Sequence, residues 1–183
     1  DGARGLWKYA DDNPRFADYE KLLDFYHTSE HLASAAELLF CKKSAQAKNW
    51  YKTYYHRLKQ EDGAAESIIR SIDYYKHQRK FGQKRLKALV AERTFFRRNK
   101  HRMAYADFQR RGLPIGSGPV EAACKTLVKT RLCRSGMQWS WQGGQCILQL
   151  RTYVKSQRWE TFWNQYKHIR YAQDERLDYA DAA

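Results

Sequence analysis

Apolar positions in the middle of the chain recur at intervals of three and four residues, which is the pattern of amphipathic helices. Two sets follow this spacing: Ile68, Ile69, Ile72 and Tyr75, and then Leu86, Leu89 and Val90. Residues 42–111 contain no proline, and Gly63 and Gly82 are the only glycines among them. The pattern therefore predicts a helical middle segment with a break near residues 61–63.

The first 40 residues carry a different pattern. Residues 21–25, KLLDF, form a short apolar and aromatic run that predicts a buried strand, and residues 26–39 are rich in helix formers. In α/β sheets, functional groups gather just beyond the carboxyl ends of strands. Asp24, near the end of this run, and Asp1, followed by Gly2, both have such positions. Asp24 is therefore a candidate functional residue or, alternatively, the N-cap of the following helix.

The last third of the chain predicts three helices. In LPIGSGPVEAACKTLVKTR, residues 113–131, Pro119 suits the first helical position, which places Gly118 at the N-cap and Glu121 at the third position. A break is expected around Ser135 and Gly136, further helices at residues 142–155 and 158–171, and a frayed acidic tail at residues 173–183. Strands are scarce, so the predicted fold is mostly α with a small β component.

All of the formal excess charge of +14 lies in residues 41–111. This span contains 20 Lys and Arg against 6 Asp and Glu, whereas the rest of the chain contains 14 of each sign. A protein that binds along a polyanion has its positive charges concentrated on one surface, so nucleic acid is the expected partner. A solvated face of a basic helical protein and an anionic membrane surface are the alternatives.

Composition argues against several classes of protein. The chain has no run of 18 or more apolar residues and no signal-peptide pattern, so a soluble protein without a membrane partner is expected. Its four cysteines form no C-x-x-C pair, which argues against a zinc ribbon or a disulfide framework and favours a reducing cytoplasm. Because the chain begins with Asp1 rather than Met, we expect it to be a fragment.

Glu121 permits two interpretations. A glutamate in a first helical turn is favoured by the macrodipole and by the N–H groups that have no helical partner. Alternatively it is a metal ligand, presented beside a glycine-rich turn that lets a phosphate backbone approach. Phosphodiester chemistry commonly uses two divalent ions held by several carboxylates. Asp1, Asp24 and Glu121 all lie at predicted element boundaries and are candidates for such a site.

Histidines follow Asp24 at helical spacing. His27 and His31 lie three and seven residues beyond it, on one stripe of a helix that includes Asp24. This set could hold Zn²⁺ or a phosphate. The preferred interpretation makes His27 a hydrogen-bonding support for the site, and His31 is not expected to be a ligand.

Other side chains near Glu121 have simpler expected roles. The basic residues that follow it are predicted to hold the DNA backbone: Lys125, Lys129, Arg131 and Arg134. The alternative for Lys125 is an ion pair with Glu121 one turn away. Core packing is expected for Cys124 and Cys146. Core packing is also preferred for four tryptophans, with base-stacking platforms as the alternative: Trp139, Trp141, Trp159 and Trp163. Residues 116–118 lack the P-loop pattern.

Three strings of sequence resemble those of one family. The first is GLPIGSGPVEAACKTLVKTRLCRSGMQWSWQGGQCILQLR at residues 112–151, the second is LLDFYHTSEHL at residues 22–32, and the third is DGARGLW at residues 1–7. All three are similar to strings in bacterial insertion-sequence transposases of the ISKra type. These are relatives of the Mutator-like DDE transposases. The resemblance is loose in the basic middle of the chain and strong after Gly112.

The resemblance implies a partial ribonuclease H-like core with a large helical insertion before the last catalytic acid. Asp1 then resembles the second catalytic aspartate and Glu121 the final glutamate, which together would ligate two Mg²⁺ ions in the complete site. Asp24 and His27 resemble the supporting D/C-x-x-H element. The first catalytic aspartate is expected to precede Asp1, so this chain alone is predicted to be inactive.

The resemblance also implies an organisation and a partner. Residues 1–40 would be a core segment, 41–111 the basic helical insertion, and 112–172 the glutamate helix with the helices that follow. The expected activity is cleavage and strand transfer at transposon ends. Its expected partners are double-stranded DNA of terminal repeats and targets, and a homo-oligomer on DNA, with nucleoid association in the cytoplasm. The alternative function is a non-catalytic basic helical protein that binds nucleic acid.

Overall fold

Helices account for 76% of the chain. The computed structural model describes the backbone of residues 4–180 and the side chains of residues 5–172. Within this part there is no strand, so the mostly α fold class is confirmed, while a β component and a ribonuclease H-like core remain predictions. The chain divides into two compact units, residues 1–117 and residues 118–183. The predicted boundaries near residues 40 and 111 therefore both lie inside the first unit.

The described part of the first unit, residues 4–117, contains six α-helices. Its α-helices are α1 (Arg4–Asp12), α2 (Phe25–Leu39), α3 (Ala45–Gln60), α4 (Ala64–Gln78), α5 (Gln83–Asn99) and α6 (Tyr105–Arg110). Short 3₁₀ turns lie at Pro14–Phe16 and Lys100–Arg102. The helical middle segment and its break after Gln60 are confirmed.

Helix α2 lies at the centre of this unit and packs against α3, α4 and α5. Phe25, Leu32 and Leu39 are spaced by seven residues and are almost completely buried, so one face of α2 enters the core over its whole length. Ile68 and Ile72 of α4 are fully buried, as the spacing of apolar residues predicts. Removal of these side chains from water provides the main stabilisation of the unit.

Polar and glycine residues begin the helices where the sequence places them. Ser44 Oγ accepts the N–H of Ala47 at 3.1 Å and caps α3. Gly63 precedes α4 with a φ of +69°, a conformation that side chains disfavour. Gly82 precedes α5. The expected punctuation by Gly63 and Gly82 is therefore confirmed.

The strand predicted at residues 21–25 is not formed. Leu23 is fully buried, as a strand residue would be, but residues 21–24 carry no regular secondary structure. The N–H of Leu23 donates to Arg102 O at 2.8 Å, and the N–H of Phe25 donates to Ile115 O at 2.9 Å. These acceptors lie on two different segments, so no continuous ladder can form along one partner.

The second unit begins with a composite helix. The segment is α-helical at α7 (Gly118–Ala123), π-helical at Cys124–Lys129 and α-helical again at α8 (Thr130–Leu132). The helix begins at Gly118 itself, one residue earlier than predicted, a difference within the usual uncertainty of helix ends. Irregular backbone at residues 133–140 confirms the predicted break around Ser135 and Gly136.

Two longer helices complete the second unit. Helix α9 (Trp141–Lys155) is capped by Ser140 Oγ, which accepts the N–H of Gly143 at 3.1 Å. Helix α10 (Trp159–Ala180) continues beyond residue 172, and fraying of the acidic tail remains a prediction. Residues 181–183 lie outside the described part. No helix within residues 4–180 has the length and apolar character needed to cross a bilayer.

Candidate functional site

The carboxylate of Asp24 joins the start of α2 to the loop before α7. Its Oδ1 accepts the N–H of His27 at 2.7 Å, and its Oδ2 accepts the N–H of Ser117 at 2.5 Å. The first bond caps α2, as one interpretation of the sequence predicted. The second holds the residue that directly precedes Gly118, where α7 begins. We call this pair of bonds the Asp24 clasp.

Both hydrogen bonds of the Asp24 clasp favour the ionised form of the Asp24 carboxylate. Burial of the half-buried side chain raises the pKa of Asp24. The hydrogen bonds from the His27 and Ser117 N–H groups together lower this pKa by more than burial raises it. The pKa therefore lies below its ordinary value. Asp24 is consequently a charged structural acceptor at neutral pH, with both oxygens occupied by backbone donors.

Close packing around Gly116 reinforces the clasp. A Cβ atom at Gly116 would lie 2.9 Å from Cε2 and 3.1 Å from Cδ2 of the Tyr26 ring. The neighbouring backbone is tied as well, since Ile115 O accepts the N–H of Phe25. The D-F-Y sequence at residues 24–26 thus holds residues 115–117 through one side-chain bond and one backbone bond, and the Tyr26 ring leaves no room for a Cβ at Gly116.

A buried polar pair anchors the other side of the start of α2. Thr28 Oγ1 and Tyr105 Oη lie 2.7 Å apart, and both residues are fully buried. Burial, the largest effect, raises the pKa of the Tyr105 phenol strongly, although the hydrogen bond with Thr28 opposes it. Phe25 packs edge-on against Tyr105 with ring centroids 5.1 Å apart. The N-terminal turn of α2 is therefore fixed to α6.

The rings of His27 and His31 lie next to glutamates and not next to the carboxylate of Asp24. His31 Nδ1 lies 2.7 Å from Glu92 Oε2, and its ring stacks on Phe95 with centroids 3.6 Å apart. His27 Nδ1 lies 3.6 Å from Glu30 Oε2. In the described part of the chain, no group of three or more His, Cys, Asp or Glu side chains could hold a metal ion. The Asp24, His27 and His31 set is therefore not gathered into a zinc site.

Glu121 lies in the first turn of α7 and is exposed. A carboxylate is a hard oxygen ligand of the kind that Mg²⁺ prefers, so this residue fits one position of the implied metal site. Asp1 lies outside the described residues. The four basic residues predicted to hold DNA are all exposed: Lys125, Lys129, Arg131 and Arg134.

Arg151 supports the composite helix that carries Glu121. Its Nε donates to Leu127 O at 3.0 Å, and its Nη2 donates to Thr126 O. Thr130 Oγ1 donates to Lys125 O, five residues back, at 2.7 Å. A π-helix shifts backbone pairing to the fifth residue and leaves carbonyls poorly placed for their usual partners. Neither the π-helix nor the role of Arg151 has a sequence pattern that could have predicted it.

The predicted core packing of cysteines and tryptophans in the second unit is wrong. Cys124 and Cys146 are exposed, and all four cysteines are free. Four tryptophans are also exposed, and Trp141 keeps 83% of its surface open: Trp139, Trp141, Trp159 and Trp163. Residue type favours burial, but burial also needs a covering surface, and only Gly144 is buried among the described residues of this unit.

A group of cations gathers where α2 ends. Arg79 Nη1 donates to Leu39 O at 3.0 Å, and Arg85 donates to Leu38 O and Phe40 O at 2.6 and 3.2 Å. These bonds hold the α4–α5 connection at the C-terminus of α2, next to the α2–α3 connection. The same end carries exposed lysines, and we call this set the basic end: Lys42, Lys43, Lys80 and Lys84.

The comparisons with known proteins add no relative. No protein-family model matches the chain, and no similar curated protein or solved structure is found. The resemblance to Mutator-like DDE transposases therefore remains a prediction.

Proposed function

We propose that this chain is the C-terminal portion of a DDE transposase of the Mutator-like kind. In the full-length protein its activity is metal-dependent cleavage at transposon ends, followed by strand transfer into target DNA. The observation that supports this best is the Asp24 clasp. A motif predicted to support the catalytic glutamate binds the loop that directly precedes the helix carrying Glu121.

The clasp gives the D-F-Y-H string a physical purpose beyond capping. A cap needs one acceptor for an N–H of the first turn, which Asp24 Oδ1 supplies. The second oxygen fixes the backbone at Ser117. Catalytic carboxylates must be held close to their productive positions by the groups around them. Asp24 is accordingly a positioning residue in this proposal, and His27 contributes the backbone N–H that orients it.

Asp1 and Glu121 are the carboxylates that would hold Mg²⁺. When bound, the metal supplies activation of the attacking oxygen and stabilisation of the leaving oxygen. The chain's own contribution is to present Glu121 from a helix start and to hold DNA nearby. Lys125, Lys129 and Arg131, with Arg134 beyond them, are exposed cations suited to DNA phosphates.

Substitution of Glu121 tests the proposal. In the full-length transposase, Glu121→Gln keeps the size of the side chain and removes its charge, so Mg²⁺-dependent cleavage of transposon ends should fall by at least about a hundredfold. Glu160→Gln is the matched control, because Glu160 also lies in the first turn of a helix in the same unit. Near wild-type cleavage by Glu121→Gln would contradict the catalytic assignment.

Two further measurements bear on the same proposal. The isolated chain is expected to give no cleavage, so metal-dependent nicking by the purified chain would contradict the prediction of an inactive fragment. In an experimental structure, the Asp1 and Glu121 carboxylates are expected within about 8 Å of each other, close enough to share two metal ions. Carboxylates on opposite faces would favour a non-catalytic protein.

The basic end favours a second candidate, a non-catalytic helical module that binds nucleic acid. Its four exposed lysines lie near Arg79 and Arg85, and only Glu37 carries negative charge within residues 37–48 and 74–89. Replacing Lys80 and Lys84 with Ala should weaken duplex DNA binding. The slope of the logarithm of the binding constant against the logarithm of salt concentration should become shallower by about one unit per lost phosphate contact. Lys100→Ala is the control, because Lys100 is paired with Glu66 at 2.6 Å.

A further inference from the structure

Three aromatic rings form a continuous exposed row on α10. The rings of Trp159 and Trp163 are nearly parallel, with an interplanar angle of 12° and centroids 6.2 Å apart. Trp163 and Tyr166 follow with an angle of 16° and a distance of 5.5 Å. Their exposed fractions are 38%, 42% and 48% in chain order. We call Trp159, Trp163 and Tyr166 the aromatic row.

The aromatic row lies on one stripe of the helix. Its members are spaced by four and three residues, so their side chains lie above one another along α10. Arg170 follows Tyr166 by four residues and continues the same stripe, and its side chain is exposed. The row therefore ends at a cation.

Cations also lie at the other end of the row. A cavity of about 300 Å³ has Trp159 on its wall, beside aliphatic side chains and three basic residues, Arg131, Arg151 and Lys155. Arg151 is engaged with the carbonyls of Thr126 and Leu127, which leaves Arg131 and Lys155 as the exposed cations of this cavity. No carboxylate lines the cavity within the described part of the unit.

The charge of this unit decides which partner fits. Residues 118–171 contain nine Lys and Arg but only two acids, Glu121 and Glu160. A surface with this excess repels a second copy of itself and attracts a polyanion. Because the exposed rings are nearly parallel, a partner that stacks on them must itself offer flat apolar faces. Bases in a duplex keep their faces stacked inside the helix, whereas unpaired bases offer them to aromatic side chains.

We propose that the aromatic row, with Arg131, Lys155 and Arg170, is a binding site for single-stranded nucleic acid. Unpaired bases stack on Trp163 and its two neighbours, and the cations at each end hold the phosphates. This site uses neither Glu121 nor a metal ion, and it shares only Arg131 with the cations proposed to hold DNA beside Glu121.

Binding of a labelled oligothymidylate to the purified chain tests this site. A strand of about 12 nucleotides falls within the range that single-strand-binding folds occupy. Loss of one base-stacking ring should weaken binding by about tenfold, so Trp163→Ala should raise Kd by that factor in fluorescence anisotropy. Trp163→Phe keeps a ring and should stay within about threefold of wild type. Circular dichroism and thermal unfolding confirm that each variant is folded.

Matched controls separate stacking from charge. Trp141→Ala removes a tryptophan that is 83% exposed and lies on α9, outside the row, and it should leave Kd unchanged. A duplex of the same length hides its base faces, so Trp163→Ala should change duplex affinity by less than about twofold. Tyr166→Ala should repeat the effect of Trp163→Ala on the single strand.

Several results would overturn the proposal. One is an unchanged Kd for oligothymidylate in both Trp163→Ala and Tyr166→Ala. Another is an equal loss of single-strand and duplex binding, since charge alone would then account for the affinity. If Trp163→Ala instead abolished binding to anionic phospholipid vesicles, or changed the oligomeric state with the single-strand Kd intact, the row would belong to a membrane or self-association surface.

Discussion

Asp24 and Ser117 are 93 residues apart in sequence, yet the carboxylate of one accepts the backbone N–H of the other at 2.5 Å. The same carboxylate caps α2 with its other oxygen, Oδ1. One side chain therefore fixes the beginning of the central helix of the first unit and the residue that precedes Gly118.

Asp24→Ser should retain the cap and lose the clasp. Serine is a good N-cap residue, but its single short oxygen cannot also reach the N–H of Ser117. Loss of this charge-assisted bond from a half-buried site should lower the free energy of unfolding by about 1–2 kcal/mol, measured by urea denaturation. In hydrogen exchange, the Ser117 amide should lose protection while the His27 amide keeps it.

Ser44→Ala provides the control for Asp24→Ser. It removes the cap of α3 and should cost about 1 kcal/mol, a loss of similar size. The Ser117 amide should remain protected, because the Asp24 carboxylate is untouched. If Asp24→Ser left the exchange of Ser117 unchanged, the clasp would contribute nothing to the position of the loop.

The difference in free energy of unfolding between wild type and Asp24→Ser should depend on pH. Because hydrogen bonding depresses the pKa of Asp24 in the folded state, the ionised carboxylate stabilises the fold above its unfolded pKa of about 3.9. This contribution disappears as pH falls through the lower folded pKa. Urea denaturation should therefore show the full difference above about pH 5 and a shrinking one below about pH 3.9.

Other carboxylates do not obscure this comparison. The pKa of Asp11 is also lowered, chiefly by the hydrogen bond from Lys21, but Asp11 titrates in both proteins and its effect cancels. A difference that stays constant down to pH values well below about 3.9 would show that the charge of Asp24 does not contribute.

Gly116→Ala should destabilise the loop by contact with Tyr26. The added Cβ would come within 2.9 Å of Cε2 of that ring, and overpacking of this kind costs about 1–3 kcal/mol. Tyr26 is 64% exposed, so its ring can yield and the lower end of this range is expected. The double variant with Tyr26→Ala should recover most of the loss, as a double-mutant cycle in urea denaturation would measure.

Gly118→Ala is the control for Gly116→Ala. A Cβ at Gly118 meets nothing within 4 Å, and alanine is a better helix residue than glycine, so stability should not fall. Additive effects of Gly116→Ala and Tyr26→Ala would contradict the proposed contact.

Local sequence was sufficient to predict how most helices begin and break. Gly63, Gly82 and the break at Ser135 and Gly136 act through backbone conformation, which depends on a few adjacent residues. One of the two interpretations of Asp24 was also correct, because an N-cap needs only the N–H groups two or three residues ahead.

Features that depend on distant partners were not predictable in this way. The bond to Ser117 uses a backbone N–H, which every residue except proline carries, so no side-chain pattern marks it. Leu23 is buried like a strand residue, but its N–H pairs with a single carbonyl on a distant segment. Burial of Trp141 was predicted from its residue type, whereas exposure depends on which surfaces cover it.

Arg151→Met should loosen the π-helical segment that follows Glu121. It retains much of the aliphatic stem and removes the two hydrogen bonds donated to the carbonyls of Thr126 and Leu127. The amides of Cys124–Lys129 should exchange faster, by about tenfold for each 1.4 kcal/mol of lost local stability. Lys155→Met is the control, because it removes a positive charge one turn further along α9 and should leave this exchange unchanged. Equal exchange in Arg151→Met and wild type would mean that the π-helix is held by its own backbone and by Thr130, which donates to Lys125 O at 2.7 Å.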